Sequence, residues 1–348
     1  MKKLLAAGAV AAALTSVVLA QAPPSELVLG PGNFLHVVAD AERAITFYRD
    51  ALGMDVQMAA NAAPLTGPRP FLTTPEIVKL YNATGGRYRT ATGFVQGSPM
   101  RAELIEWQDV DRKPFTPRHA DPGAGTMIVT VRDLDATLAR VKAAGGTVVS
   151  DAGVPVTFTD ERGRGRAVLV KDFDGFHVQL VQRDVAPATE AAADRNAIDI
   201  GFAATVDDMD RSLRIFNSIL GFKLTLDKEE HNDARLRMIG NFTAYYRRAS
   251  GVVPGSNLQM ELIEVQGIER RHGHSRPQDP GTSILRLRVS DVAKAVQALS
   301  AADAKVITTG GAPVTVTGAN AIQQFAIVEL PDNLFLQLVQ ATPRPPQQ

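Results

Sequence analysis

Cysteine is absent from the 348-residue chain, which excludes disulfides, thiolate metal centres and cysteine nucleophiles. Aromatic residues make up only 6%, with a single tryptophan, and there are just six histidines. Imidazole chemistry must therefore come from very few positions. Neither sign of charge dominates, with 37 Lys+Arg against 37 Asp+Glu, and that balance argues against a nucleic-acid or anionic-membrane partner. Beyond residue 20 no apolar run approaches the length of a membrane span.

The one long apolar run, residues 4–19, follows Met1-Lys2-Lys3 and ends at Val18-Leu19-Ala20. A positive start, a short apolar stretch and small residues before a cut site read as a secretory signal peptide, 1–20, cleaved after Ala20. The run is short for a span, so the mature protein is expected to be periplasmic or secreted, with no membrane attachment after cleavage. A hydrophobic content of 45% and a charged content of 21% then describe a globular chain long enough for two domains.

What is present in abundance is repetition. Met100-Arg-Ala-Glu-Leu-Ile-Glu-Trp107 matches Leu258-Gln-Met-Glu-Leu-Ile-Glu-Val265, which places Glu261 158 residues after Glu103. Phe176-His-Val-Gln-Leu-Val-Gln182 matches Leu334-Phe-Leu-Gln-Leu-Val-Gln340 at the same offset. Apolar residues recur at helical spacing four times: Ala41, Ile45, Tyr48, Leu52; Leu134, Leu138, Val141; Met209, Leu213, Phe216, Leu220; and Val292, Val296, Leu299. Each stripe opens at an aspartate suited to an N-cap, namely Asp40, Asp133, Asp208 and Asp291. Three of them close near Gly53, Gly145 and Gly221, placed for a left-handed C-cap. Short apolar strands are expected before the helices at 34–38, 127–131, 202–206 and 285–289, with extended segments after them, 147–149, 166–170 and 234–238 among these. The pattern is four βαβββ units, an α+β fold. A Pro- and Ala-rich stretch at 184–197 divides them into 33–183 and 198–340. A lead at 21–32 precedes them, and a Pro/Gln-rich tail at 341–348 is expected to be disordered. The first half carries about ten extra residues, placed at 59–86, with a helical turn expected from Pro75 to Tyr81.

The segments Asp40-Ala-Glu-Arg-Ala-Ile-Thr-Phe-Tyr-Arg-Asp-Ala-Leu-Gly53, Asp208-Met-Asp-Arg-Ser-Leu-Arg-Ile-Phe-Asn-Ser-Ile-Leu-Gly221 and Asp172-Phe-Asp-Gly-Phe-His-Val-Gln-Leu180 resemble the vicinal oxygen chelate superfamily. That family includes glyoxalase I, extradiol dioxygenases and bleomycin-resistance proteins. The resemblance implies that units pair into two cupped, barrel-like sheets, each around a divalent metal. It puts the ligands at the start of each opening strand and on each closing strand. Those places hold Asn33, Thr126, Gly201 and Ile284, and Glu103, Gln179, Glu261 and Gln337.

No imidazole stands among the eight, and amides and a hydroxyl are poor ligands for the usual transition metals. A metal-free site is therefore expected and no cofactor is assigned, a divalent metal being the disfavoured alternative. His177, two residues before Gln179, shares its strand face, whereas alternation turns His36 away from Asn33. Glu106 and Glu264, three residues past the inward glutamates, should likewise face away. In Tyr245-Tyr-Arg-Arg248 one ring is expected inward and both arginines outside. The first domain is thus expected to hold the site. Glu103 and His177 are its candidate acid–base pair (and its ligands if a metal binds), with Asn33, Thr126 and Gln179 contacting substrate. Gly201, Glu261, Ile284 and Gln337 are the second domain's counterparts. The expected partner is a small molecule, and no oligomer is needed to complete a site. Two functions fit: a metal-free binder of a small organic molecule, or a metal-dependent lyase, isomerase or ring-cleaving dioxygenase.

Overall fold

A computed structural model describes residues 27–57, 69–228, 233–318 and 321–343. The expected signal peptide and most of the tail lie outside the described residues, as do 21–26 of the lead and 58–68 of the insertion. No described helix is long and apolar enough to cross a membrane.

The four units are present. The first comprises β1 (Val28–Val38), α1 (Ala41–Thr46), β2 (Asp55–Gln57), α2 (Pro75–Leu80), β3 (Arg87–Phe94) and β4 (Arg101–Gln108). The second comprises β5 (Gly125–Val131), α3 (Leu134–Ala143), β6 (Thr147–Val148), β7 (Val156–Asp160), β8 (Gly163–Lys171) and β9 (His177–Arg183). The third comprises β10 (Ala197–Thr205), α4 (Met209–Leu213), β11 (Thr225–Leu226), α5 (Asp233–Met238), β12 (Tyr245–Val252) and β13 (Gln259–Gln266). The fourth comprises β14 (Ser283–Val289), α6 (Val292–Ser300), β15 (Lys305–Val306), β16 (Val314–Thr317), β17 (Ala321–Glu329) and β18 (Phe335–Pro343). The expected caps form: Asp40, Asp133, Asp208 and Asp291 each accept a first-turn backbone N–H at 2.9 Å. Gly53, Gly145 and Gly221 take positive φ after their helices. Helices α1 and α4 run on into π-helical turns at Phe47–Ala51 and Arg214–Ile219.

Unit pairing differs from expectation. The first unit joins the fourth, and the second joins the third. One sheet runs β15-β17-β18-β14-β1-β4-β3-β2 and the other β11-β12-β13-β10-β5-β9-β8-β6. The cause is the antiparallel ladder between opening strands, β1 on β14 and β5 on β10. The stretch at 184–197 therefore joins the second and third units, which lie side by side in one sheet. Three boundaries move as well. Strand β1 reaches back into the lead, β18 takes in Ala341, Thr342 and Pro343 from the tail, and 234–238 is helical rather than extended.

Strand alternation sorts the side chains into three apolar clusters. The helix-facing sides of both sheets share one core, in which Phe34 of β1 lies 5.0 Å from Phe202 and 5.4 Å from Phe176. The concave face of the first sheet holds Trp107, Tyr81, Tyr88 and Phe335, and that of the second Phe158, Tyr246, Ile263 and Leu236. These faces form two open cups, crossed by the short helices α2 and α5: Leu80 and Tyr81 plug the first cup, Leu236 and Met238 the second. The helical turn expected from Pro75 to Tyr81 thus has a counterpart in α5 and is common to both halves.

Candidate functional site

Each cup has a row of residues running across its four central strands. In the first cup Glu103, Leu35, Ile284 and Phe335 are successive strand partners. In the second the row is Glu261, Ala203, Thr126 and His177. Bulky apolar groups fill the first row, while the second has a small floor between a carboxylate and an imidazole.

The first cup neutralises its own polar groups. Asn33 Nδ2 donates to Glu103 Oε2 at 2.8 Å, and Arg286 Nη1 to the same oxygen at 3.0 Å. Arg286 Nε also donates to the Gln337 side-chain oxygen. Tyr81 hydrogen-bonds to Gln337, and burial raises its phenol well above the ordinary value.

In the second cup Arg248 Nη2 donates to Glu261 Oε1 at 2.9 Å, and Arg235 stands 3.9 Å from Glu261 Oε2. Burial pushes the Glu261 pKa up, but the two guanidinium groups outweigh it and lower the value to about 2. Arg248 also holds Glu161 and Asp227, and Asp160 is paired with Arg183 at 2.5 Å. At the other end of the row the His177 and His119 rings meet edge to face, centroids 5.3 Å apart. Burial, then the nearby Lys171 cation, lowers the His119 pKa to about 4, Glu261 opposing. His177 is held well below its ordinary value by burial, His119 and Lys171.

Several buried polar atoms in this cup have no hydrogen-bond partner: both ring nitrogens of His119, His177 Nε2, Thr126 Oγ1, Tyr246 Oη and Glu261 Oε2. Buried polar atoms in folded proteins are normally satisfied. Two chambers open on the cup. One, of about 290 Å³, is lined by Asp160, Asp227, Arg235, Tyr246 and Arg248 among others. The second, of about 270 Å³, is lined by His119, Lys171, Ile239 and their neighbours.

The expected convergence of Asn33, Glu103, Thr126 and Gln179 is thus not found. Asn33 and Glu103 lie in the first cup with Ile284 and Gln337, and Thr126 and Gln179 in the second with Gly201 and Glu261. Glu103 and His177, on separate sheets, cannot act as one acid–base pair. His177 does share the concave face with Gln179, since Val178 and Leu180 point into the helix-side core. His36 turns to the helix side, where its Nε2 meets Asp172 Oδ2 at 2.9 Å and its ring stacks on Phe176 at 4.3 Å. His36, Asp172 and Asp174 offer ligand atoms within 4.8 Å of one another. Three of their four carboxylate oxygens are already engaged: Asp172 Oδ1 accepts from the Asp174 and Phe176 backbone N–H groups, Asp172 Oδ2 meets His36, and Asp174 Oδ2 accepts from the Ala39 N–H.

Sequence reasoning missed five contributors. Arg248 was expected outside yet is 2% exposed within the cup, because it shares a strand face with Tyr246. Arg286 faces inward two residues after Ile284, an alternation that was readable. Arg235 arrives on α5, and Lys171 is the strand partner of His177. His119 lies in a loop without periodicity. Its signal was the repeat itself, since Arg118-His-Ala-Asp-Pro-Gly123 matches Arg276-Pro-Gln-Asp-Pro-Gly281 and sets His119 against Pro277.

Two open, helix-capped cups built from four βαβββ units define a duplicated α+β scaffold. Residues 31–180 and 201–323 match the family model of the Glyoxalase/Bleomycin resistance protein/Dioxygenase superfamily, and the chain belongs to that superfamily. It is 26% identical over 205 residues to a lactoylglutathione lyase of Arabidopsis thaliana, a match covering 55% of this chain and 56% of that protein. The chain thus spans just over half the length of that curated relative. Among solved structures, glyoxalase I from Zea mays superposes with a TM-score of 0.55 at 17% identity, covering 90% of this chain and 92% of that one. A putative dioxygenase from Bacillus subtilis gives 0.52 at 11% identity, covering 91% and 86%. At such identities the likeness is one of fold.

Proposed function

We propose that the protein binds a small organic molecule in the second cup, between Glu261 and His177, without the family's metal. The observation that carries this reading is the group of unpartnered buried polar atoms around the Ala203–Thr126 floor, next to open chambers. A bound polar molecule would satisfy them at little reorganisation cost. The donor sets argue against a transition metal in either cup. The two inward glutamates are each engaged by arginine, Gly201 and Ile284 offer no donor, and none of the eight positions is imidazole. The apolar run at 4–19 and the Val18-Leu19-Ala20 segment favour export to the periplasm or beyond.

The test combines metal analysis of the purified protein with thermal-shift measurements across small aromatic and dicarbonyl compounds. Substoichiometric metal with a stabilising ligand that protects wild type, and fails to protect a Thr126→Ile variant, is the expected result. About one firmly held transition metal per chain would sink the metal-free reading. The second reading, a metal-dependent lyase, isomerase or ring-cleaving dioxygenase, is favoured by the likeness to a lactoylglutathione lyase. Lactoylglutathione turnover that rises with added metal would decide for it.

A further inference from the structure

The smaller chamber of the second cup holds a cation with no carboxylate in contact among the described residues. Lys171 lines it, is half-buried, and donates to the Pro117 carbonyl at 2.9 Å. Its ammonium makes no ion pair within 4 Å among the described residues. Arg118, the other cation on the wall, is already bound to Asp121 through both Nε and Nη2 and to the Glu269 carbonyl. Beside Lys171 stands His119, 3% exposed with both ring nitrogens unpartnered. Asn241 spends its side-chain oxygen on the Thr243 N–H at 3.0 Å, which leaves its amide NH₂ to donate into the chamber. No acidic side chain lines this chamber among the described residues, and Val149, Ile239 and Ile268 supply an apolar wall.

The larger chamber provides the contrast. Asp160, Glu161 and Asp227 stand there against Lys228, Arg235 and Arg248, largely paired with one another. Nothing in it calls for an outside ion. Burial weakens the Lys171 cation while Asp121 and Asp172 support it only from beyond contact, so an anion seated directly beside it recovers part of the desolvation cost.

We propose that the chamber beside His119 is a carboxylate subsite, so that the ligand of the second cup is a monocarboxylic organic acid with a compact apolar body. One carboxylate oxygen accepts from Lys171 and the other from His119 or Asn241, while the body lies against Val149, Ile239 and Ile268. This inference rests on the second cup being the binding site and names the chemistry of what enters it.

Isothermal titration of the mature full-length chain with benzoate and its neutral isostere benzamide tests the inference. Benzoate is expected to bind at least about tenfold more tightly than benzamide, an advantage that shrinks as salt rises. Lys171→Gln is expected to abolish the difference. Should that variant fail to fold, the wild-type comparison and its salt dependence carry the test. Equal affinity for the two compounds, an unchanged benzoate affinity in Lys171→Gln, or binding of inorganic phosphate in place of benzoate would each overturn it. If neutral aromatic or dicarbonyl compounds bind in a Thr126-dependent manner while benzoate does not, the carboxylate subsite fails and the binder reading stands. If nothing binds, both fail.

Discussion

The Arg248 guanidinium lies 2.9 Å from Glu261 Oε1 in the second cup, both side chains at most 4% exposed. Removing the cation would strand a buried charge, with Arg235 at 3.9 Å as the remaining support. Breaking such a pair from one side costs about 3–5 kcal/mol, whereas removing both charges costs much less. Arg248→Leu is therefore expected to lower urea-melt stability by roughly 3 kcal/mol. Glu261→Gln in the same chain should restore most of the loss. Additive effects in the double variant would show that the pair is not coupled.

Thr126 tests the floor of the trough. Its hydroxyl is buried and unpartnered, so Thr126→Val removes a group that contributes nothing to the unliganded fold. Stability is expected to stay level or rise by about 1 kcal/mol, while affinity for any second-cup ligand falls. The same ligand should be indifferent to Asn33→Leu in the first cup. Loss of binding in Asn33→Leu with none in Thr126→Val would move the site to the other cup.

The contrast between the cups also shows how far the sequence could be read. Helix caps, strand faces and the four units follow from local chemistry, which is why Asp40 caps its helix and why His177 and Gln179 share a face. Unit pairing does not, because the ladder between β1 and β14 joins residues some 250 apart through backbone groups that every residue carries. An internal repeat gives the units but leaves open which edges meet. Residues 234–238 alternate apolar and basic at period two, so they read as a strand. Packing of Leu236 and Met238 into the second cup fixes them as a helix instead. His119 escaped notice because a loop has no period, although its mismatch with Pro277 in the repeat marked it.

Chelation supplies a further check. With Glu103 held by Asn33 and Arg286, and Glu261 by Arg248, folding is not expected to draw on a metal. Incubation with EDTA followed by desalting should leave the thermal midpoint unchanged within about 1 °C, whereas loss of a structural ion would shift it by many degrees. A large drop restored by one divalent ion would contradict the donor-set argument.

The buried His119 should make stability depend on pH in a defined direction. Burial, reinforced by Lys171, lowers its pKa to about 4 in the folded chain, against about 6.5 when unfolded. The unfolded chain therefore takes up the proton first as pH falls. The contribution of His119 is complete above about pH 6.5 and is lost on descending towards pH 4, a total of about 3 kcal/mol. His177 acts in the same sense. Asp174 acts in the opposite one, its pKa being raised to about 6 chiefly by burial, so the wild-type curve alone is ambiguous. The difference between wild type and His119→Gln isolates the imidazole. Urea melts should show the variant gaining on wild type as pH drops from 7 to 5. Parallel curves over that interval would mean that His119 is solvated or already partnered, and with it the case for an open polar chamber would fall.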